Sequence, residues 1–98
     1  MLAYESKLKQ QEADALVILA EGYLYNDIYD LALDYGFNAL EIYNEKESRE
    51  QVADTYTLLG WTYYDVENAE FALKYHTMAY HLYKKAGKKR KASVALNG

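Results

Sequence analysis

The 98-residue chain contains no cysteine and no proline. Without cysteine there is neither a disulfide framework nor a thiolate metal site. Without proline, and with only five scattered glycines, nothing interrupts long helices. Long apolar runs are missing as well: no stretch approaches the roughly 18 uninterrupted apolar residues that cross a bilayer. Met1 to Glu12 lacks the basic segment followed by an apolar run that marks a secretion signal. These absences lead us to expect a cytoplasmic helical chain with no membrane association, either on its own or as part of a longer protein.

Catalytic signatures are also missing. His76 and His81 stand five apart, so they do not share a helix face as an i, i+4 metal pair would. There is no phosphate-binding glycine motif, and no two carboxylates form a recognisable acid and base arrangement. The expectation is a non-enzyme with no cofactor and no metal.

What is present is apolar and aromatic. Half of the residues (51%) are hydrophobic, which argues against disorder, and twelve are tyrosine, each a large ring with a polar tip able to reach water. The net charge of −4 hides an asymmetry. All fifteen acidic residues fall between Glu5 and Glu70, and up to Tyr83 only five bases oppose them. The remaining six bases, Lys84, Lys85, Lys88, Lys89, Arg90 and Lys91, form one patch near the C-terminus. Such polarity can steer association or favour head-to-tail contact between copies; the plainer reading is a solvated loop between helices.

The most informative feature is a repeat. Leu16, Leu19, Ala20, Tyr23, Ala32, Tyr35, Ala39, Ile42 and Tyr43 recur, shifted by forty, as Tyr56, Leu59, Gly60, Tyr63, Ala72, Tyr75, Ala79, Leu82 and Tyr83. A fixed period of this size, carried by small and apolar residues, indicates stacked supersecondary units. Spacings of three and four within each copy are helical. They predict helices over residues 13–25, starting as early as Glu5, and over residues 28–44, 49–65 and 69–85. Asn26 and Asp27 offer a turn and a cap, Val66 to Asn68 a second turn, and Gly87 a left-handed terminator. The expected fold class is all-α, an α-α superhelix of two antiparallel helix hairpins plus a partial fifth helix. The chain then forms one repeat domain, with units at about 13–46 and 53–86 and a partial third at about 89–98. Shifting by forty also maps Leu2 onto Ile42 and Leu82, and Ala92 to Leu96 onto Val52 to Tyr56.

Leu59-Gly60, Tyr63, Ala72 and Ala79 together resemble the signature of the tetratricopeptide repeat. There are departures. The period is longer than usual, Asn44 and Lys84 stand where a proline commonly ends the second helix, and copy one has Ala20 for the glycine and Gly36 for a large ring. The long period is similar to variants in bacterial signalling and adaptor proteins. The resemblance implies that Gly60 and Ala20 permit close helix approach, that Ala32 and Ala72 sit at crossings within a unit, and that Ala39 and Ala79 sit between units. It also implies that the first helix of each unit lines a concave face meeting a protein or peptide partner. Carried onto this chain, the partner-facing residues are Asp14, Val17, Glu21, Leu24 and Tyr25, then Asp54, Thr57, Trp61, Tyr64 and Asp65.

Trp61 is the sharpest candidate as the only tryptophan, since such rings concentrate at binding hot spots; it could equally pack on the preceding unit. The acidic face suits a partner with basic and apolar residues, whereas Val17 and Glu21 stand where a carboxylate-clamping family member would carry basic or amide side chains. Two other functions stay open. The Lys84–Lys91 patch could bind nucleic acid or an anionic surface, although no aromatics interleave it and the rest of the chain is acidic. Alternatively, open repeat ends could pair copies into a dimer or stack.

Overall fold

The computed structural model describes the backbone of residues 2–97 and the side chains of residues 7–95. The expectations placed on the side chains of Leu2 and Leu96, and on Gly98, therefore lie outside what is described. Five helices follow one another: α1 (Leu2–Tyr25), α2 (Tyr29–Glu45), α3 (Arg49–Asp65), α4 (Ala69–Lys85) and α5 (Lys89–Asn97). The fold is all-α, with no strand among the described residues. Each helix packs on its neighbour in sequence, and α1 also touches α3. The result is a slab of 43 × 32 × 17 Å, about two helices thick.

The bounds of α3 and α4 coincide with those expected from apolar spacing. Helix α1 starts earlier than expected, at Leu2. Helix α2 starts one residue late because Ile28 has left the helical region (φ −100°, ψ 81°) and serves as its N-cap, with no side-chain bond. Ser48, before α3, likewise makes no side-chain cap bond, whereas Asn68, before α4, caps with its side chain, accepting from the Phe71 N–H at 3.1 Å.

The turns disclose a period half as long as the one in the side chains. Asp27, Glu47, Glu67 and Gly87, twenty residues apart, all have positive φ, between 55° and 76°. At each turn the residue after the left-handed one donates its N–H back to a tyrosine carbonyl: Ile28 to Tyr23 (2.8 Å), Ser48 to Tyr43 (3.0 Å), Asn68 to Tyr63 (2.8 Å) and Lys88 to Tyr83 (2.8 Å). This 6→1 bond, with the shorter 5→2 bond beside it, satisfies carbonyls that a helix end leaves open. Only the last turn uses glycine; the other three hold a Cβ in a region that costs an L-residue about 1–2 kcal/mol.

Between the helices, small residues let backbones approach. One buried cluster joins Ala13, Ala39, Ile42, Tyr43 and Val52. The other joins Ala53, Ala79, Tyr83, Ala92 and Ala95. Four positions correspond at forty residues: Ala13 with Ala53, Ala39 with Ala79, Tyr43 with Tyr83, and Val52 with Ala92. Ala39 thus meets α1 and α3, and Ala79 meets α3 and α5, which places both where one hairpin meets the next. Stacked tyrosines follow the same shift. Tyr23 lies on Tyr35 at 5.6 Å between centroids, and Tyr63 lies on Tyr75 at 5.6 Å.

The copies differ around Gly36 and Gly60. A Cβ at Gly36 would meet the Leu59 side chain at 3.0 Å, so this glycine admits a leucine from the next hairpin. In the second copy His76 stands at the corresponding position and lays its ring over Gly60, where a Cβ would come within 2.8 Å of ring atoms. Both ring nitrogens are buried without a hydrogen-bond partner among the described residues. Burial accordingly pushes the imidazole below its ordinary value of 6.5.

Two outcomes follow from this geometry. Glu67→Gly relieves a left-handed glutamate and should stabilise the fold by about 1 kcal/mol, raising the melting temperature by roughly 4–8 °C in a chain of this size; calorimetry reads it directly. For His76 the folded state disfavours the proton, so its contribution is complete above pH 6.5 and is lost as pH falls through and below that value. Melting temperatures between pH 7.5 and 5.5, above the carboxylate range, should fall for the wild type and fall less for His76→Gln.

Candidate partner-binding groove

Because consecutive helices run antiparallel and pack in order, α1, α3 and α5 come to lie on one side of the slab. Two hollows open there. The first, about 490 Å³, is lined by Glu21, Leu24, Tyr25, Asp27, Leu58, Trp61, Tyr64 and Asp65. The second, about 460 Å³, is lined by Val17, Glu21, Asp54, Thr57, Leu58, Trp61, Tyr83, Arg90, Lys91, Val94 and Ala95. Glu21, Leu58 and Trp61 are shared, so Trp61 divides one continuous groove into two compartments.

Nine of the ten residues expected from the sequence line this groove. Asp14 does not; it accepts a hydrogen bond from the Tyr43 hydroxyl, across α1 and α2. Asp54 makes the same bond to Tyr83 in the second copy and still lines the second hollow. Burial first, and the neighbouring carboxylate second, push both tyrosine hydroxyls well above their usual range, so each remains a donor. These aspartates tie a second helix back to the first helix of its own hairpin.

Thr57 is 9% exposed and returns its hydroxyl to the Ala53 carbonyl at 3.1 Å, so it contributes a wall with no free polar group. Thr62 is fully buried and does likewise with Leu58, at 2.8 Å. The exposed rings are Tyr25 (89%), Tyr64 (68%) and Trp61 (45%), above a Leu58 side chain that is only 4% exposed. Spacing alone assigned Leu58 no role, because it sits one residue before the Leu59 that faces α2, about 100° further round the helix. Asp27 was expected only to form the turn. Its left-handed conformation also sets it at the rim of the first hollow, where it accepts from the Tyr29 hydroxyl at 3.1 Å.

The basic patch does not project as one loop. Lys84 and Lys85 occupy the last turn of α4, where cations complement the helix dipole, and Lys84 stands over the Tyr80 ring at 5.7 Å. Lys88 reaches Glu50 at 3.6 Å, and Lys91 reaches Glu50 at 2.6 Å and Asp54 at 3.4 Å. The Lys91 bond holds the Glu50 carboxyl below its usual range, and Glu50 in turn raises Lys91. Lys89 and Arg90 make no ion pair among the described residues. The start of α5 is thus fastened to α3 through charge, and Arg90 is left beside the second hollow.

No group of three or more histidine, cysteine or carboxylate side chains among the described residues could hold a metal ion. Among the described residues no helix is long and apolar enough to cross a membrane. Comparison with protein-family models, with curated proteins and with solved structures returns no match in any of the three. A functional reading therefore rests on this chain's own geometry.

Proposed function

We propose that the chain is a protein- or peptide-interaction module, built as a tetratricopeptide-like solenoid and serving as the repeat region of a larger regulatory or scaffold protein. In this reading the groove of α1, α3 and α5 takes a peptide with basic and apolar residues, and the chain performs no catalysis of its own. The observation that carries it is the gathering of three exposed rings, Tyr25, Trp61 and Tyr64, around one hollow over a buried leucine. Monomeric proteins rarely leave several large rings together in water, and tryptophan and tyrosine dominate binding hot spots. The forty-residue correspondence of the two buried clusters supports the solenoid, and the ion pairs of Lys88 and Lys91 favour this groove over the basic patch as the partner site.

A second reading, self-association, has its own support. In α3, Leu58 and Leu59 are 4% and 0% exposed; their counterparts in α1, Ile18 and Leu19, are 68% and 45% exposed. The face of α1 that corresponds to the α2-covered face of α3 is thus open.

Panning a random peptide library against the chain should enrich sequences combining basic and apolar residues. The double substitution Trp61→Ala, Tyr64→Ala should lower their affinity at least about tenfold, as loss of a hot spot does, with helicity by circular dichroism unchanged. Enriched peptides that bind this variant as well as the wild type would overturn the assignment. Light scattering at tens of micromolar separates the second reading: Leu19→Lys should dissociate an assembly, and a strictly monomeric wild type would remove it.

A further inference from the structure

The first hollow is electrostatically incomplete in a specific way. Helix α1 ends at Tyr25 and helix α3 at Asp65, and both residues line it. Each helix C-terminus carries roughly half a negative elementary charge, which a base in the last turn would complement. Only α4 has such bases, Lys84 and Lys85; α1 and α3, whose ends meet at this hollow, have none. Three carboxylates, Glu21, Asp27 and Asp65, add full negative charges, and none forms an ion pair among the described residues.

The rings around these carboxylates narrow the class of cation. Trp61, the side-chain type whose ring attracts cations most strongly, lines this hollow together with Tyr25 and Tyr64. The chain's own nearby bases do not serve: Arg90 and Lys91 line the other hollow, and Lys91 is held by Glu50 and Asp54. A hydrated metal ion has no use for aromatic walls. A guanidinium does, because it is planar, weakly hydrated, stacks on aromatic faces and presents forked donors to carboxylates; an ammonium is a compact, strongly hydrated point charge.

We propose that this hollow is a subsite for an arginine side chain of the partner peptide, stacked on Trp61 and hydrogen-bonded to the carboxylates of Glu21 and Asp65. The proposal rests on the reading of the groove as a partner site and adds which residue that partner must carry. Arg90, across Trp61, then meets an acidic group further along the same peptide, which sets its direction.

The single tryptophan makes the test direct, since all indole fluorescence reports on this wall. Three short blocked peptides, Ala-Arg-Ala, Ala-Lys-Ala and Ala-citrulline-Ala, are titrated into the full chain, with amide chemical shifts followed in parallel. The arginine peptide should shift Trp61 emission saturably and move amides at 21–27 and 58–65. The citrulline peptide, which keeps the shape and loses the charge, should bind about tenfold more weakly or not at all, and the lysine peptide should fall between. Asp65→Asn and Glu21→Gln should each weaken the arginine peptide several-fold without altering the circular dichroism spectrum.

Equal binding of the arginine and citrulline peptides, or shifts confined to other helices, would overturn the subsite. If library-selected peptides engage Trp61 while the arginine probe does not, the arginine assignment fails and the groove stands; if neither engages it, both fail. A probe-free change of Trp61 emission with protein concentration, abolished by the pair Lys89→Ala and Arg90→Ala, would replace the partner peptide by a second copy of the chain.

Discussion

Everything on the groove side depends on the close approach that alanine permits between helices. Ala13, Ala20, Ala32, Ala39, Ala53 and Ala79 are all completely buried. A larger side chain at any of them would push two backbones apart, with overpacking penalties of about 1–3 kcal/mol. The seam recurs at forty residues, and pairs of α1 and α3 residues that correspond at that shift, Val17 with Thr57 and Leu24 with Tyr64, line the same groove. The tyrosine to aspartate bonds then fasten each hairpin at corresponding points, Tyr43 to Asp14 and Tyr83 to Asp54.

The same arrangement explains why charge is distributed unevenly along the groove. Acidic residues dominate the sequence up to Glu70, but their effect is local. Glu50 and Asp54 are met by bases from the start of α5, and Asp14 by a tyrosine hydroxyl. Glu21, Asp27 and Asp65 have no such base among the described residues, and they cluster where α1 and α3 end. Two of the six bases in the patch, Lys88 and Lys91, thus belong to the packing of α5 on α3. Surface salt bridges are individually weak, so the role of Lys88 and Lys91 is chiefly to orient α5.

The helices were legible beforehand because they rest on periodicity: α3 and α4 have the expected bounds, and Gly87 is left-handed. The positions that the resemblance implies are partner-facing are a separate matter; nine of the ten line one groove. Turns are expected at Asn26–Asp27 and Val66–Asn68, but a left-handed residue only at Gly87, because Asp27, Glu47 and Glu67 each carry a Cβ; the twenty-residue period of left-handed positions is therefore visible only in the backbone. The Tyr43–Asp14 bond did leave a trace, since both residues recur at forty, but spacing on a helix does not say which way a carboxylate turns. The resemblance places Thr57 on the partner-facing side, yet a threonine can satisfy its hydroxyl on its own helix and sit buried, as it does on the Ala53 carbonyl. From sequence the Lys84–Lys91 segment reads most plainly as a solvated loop between helices, with steering or head-to-tail contact as the alternative. The opposing Glu50 and Asp54 lie some forty residues away in sequence, and only the fold brings them together.

The central claim is that the groove divided by Trp61, and no other surface, receives the partner. Amide chemical-shift mapping of the chain with its highest-affinity library-selected peptide tests this most directly. The account predicts perturbations concentrated in residues 17–27, 54–65 and 90–95, with the outward faces of α2 and α4 silent. Perturbations centred on those outward faces, with the Trp61 indole signal unmoved, would contradict it.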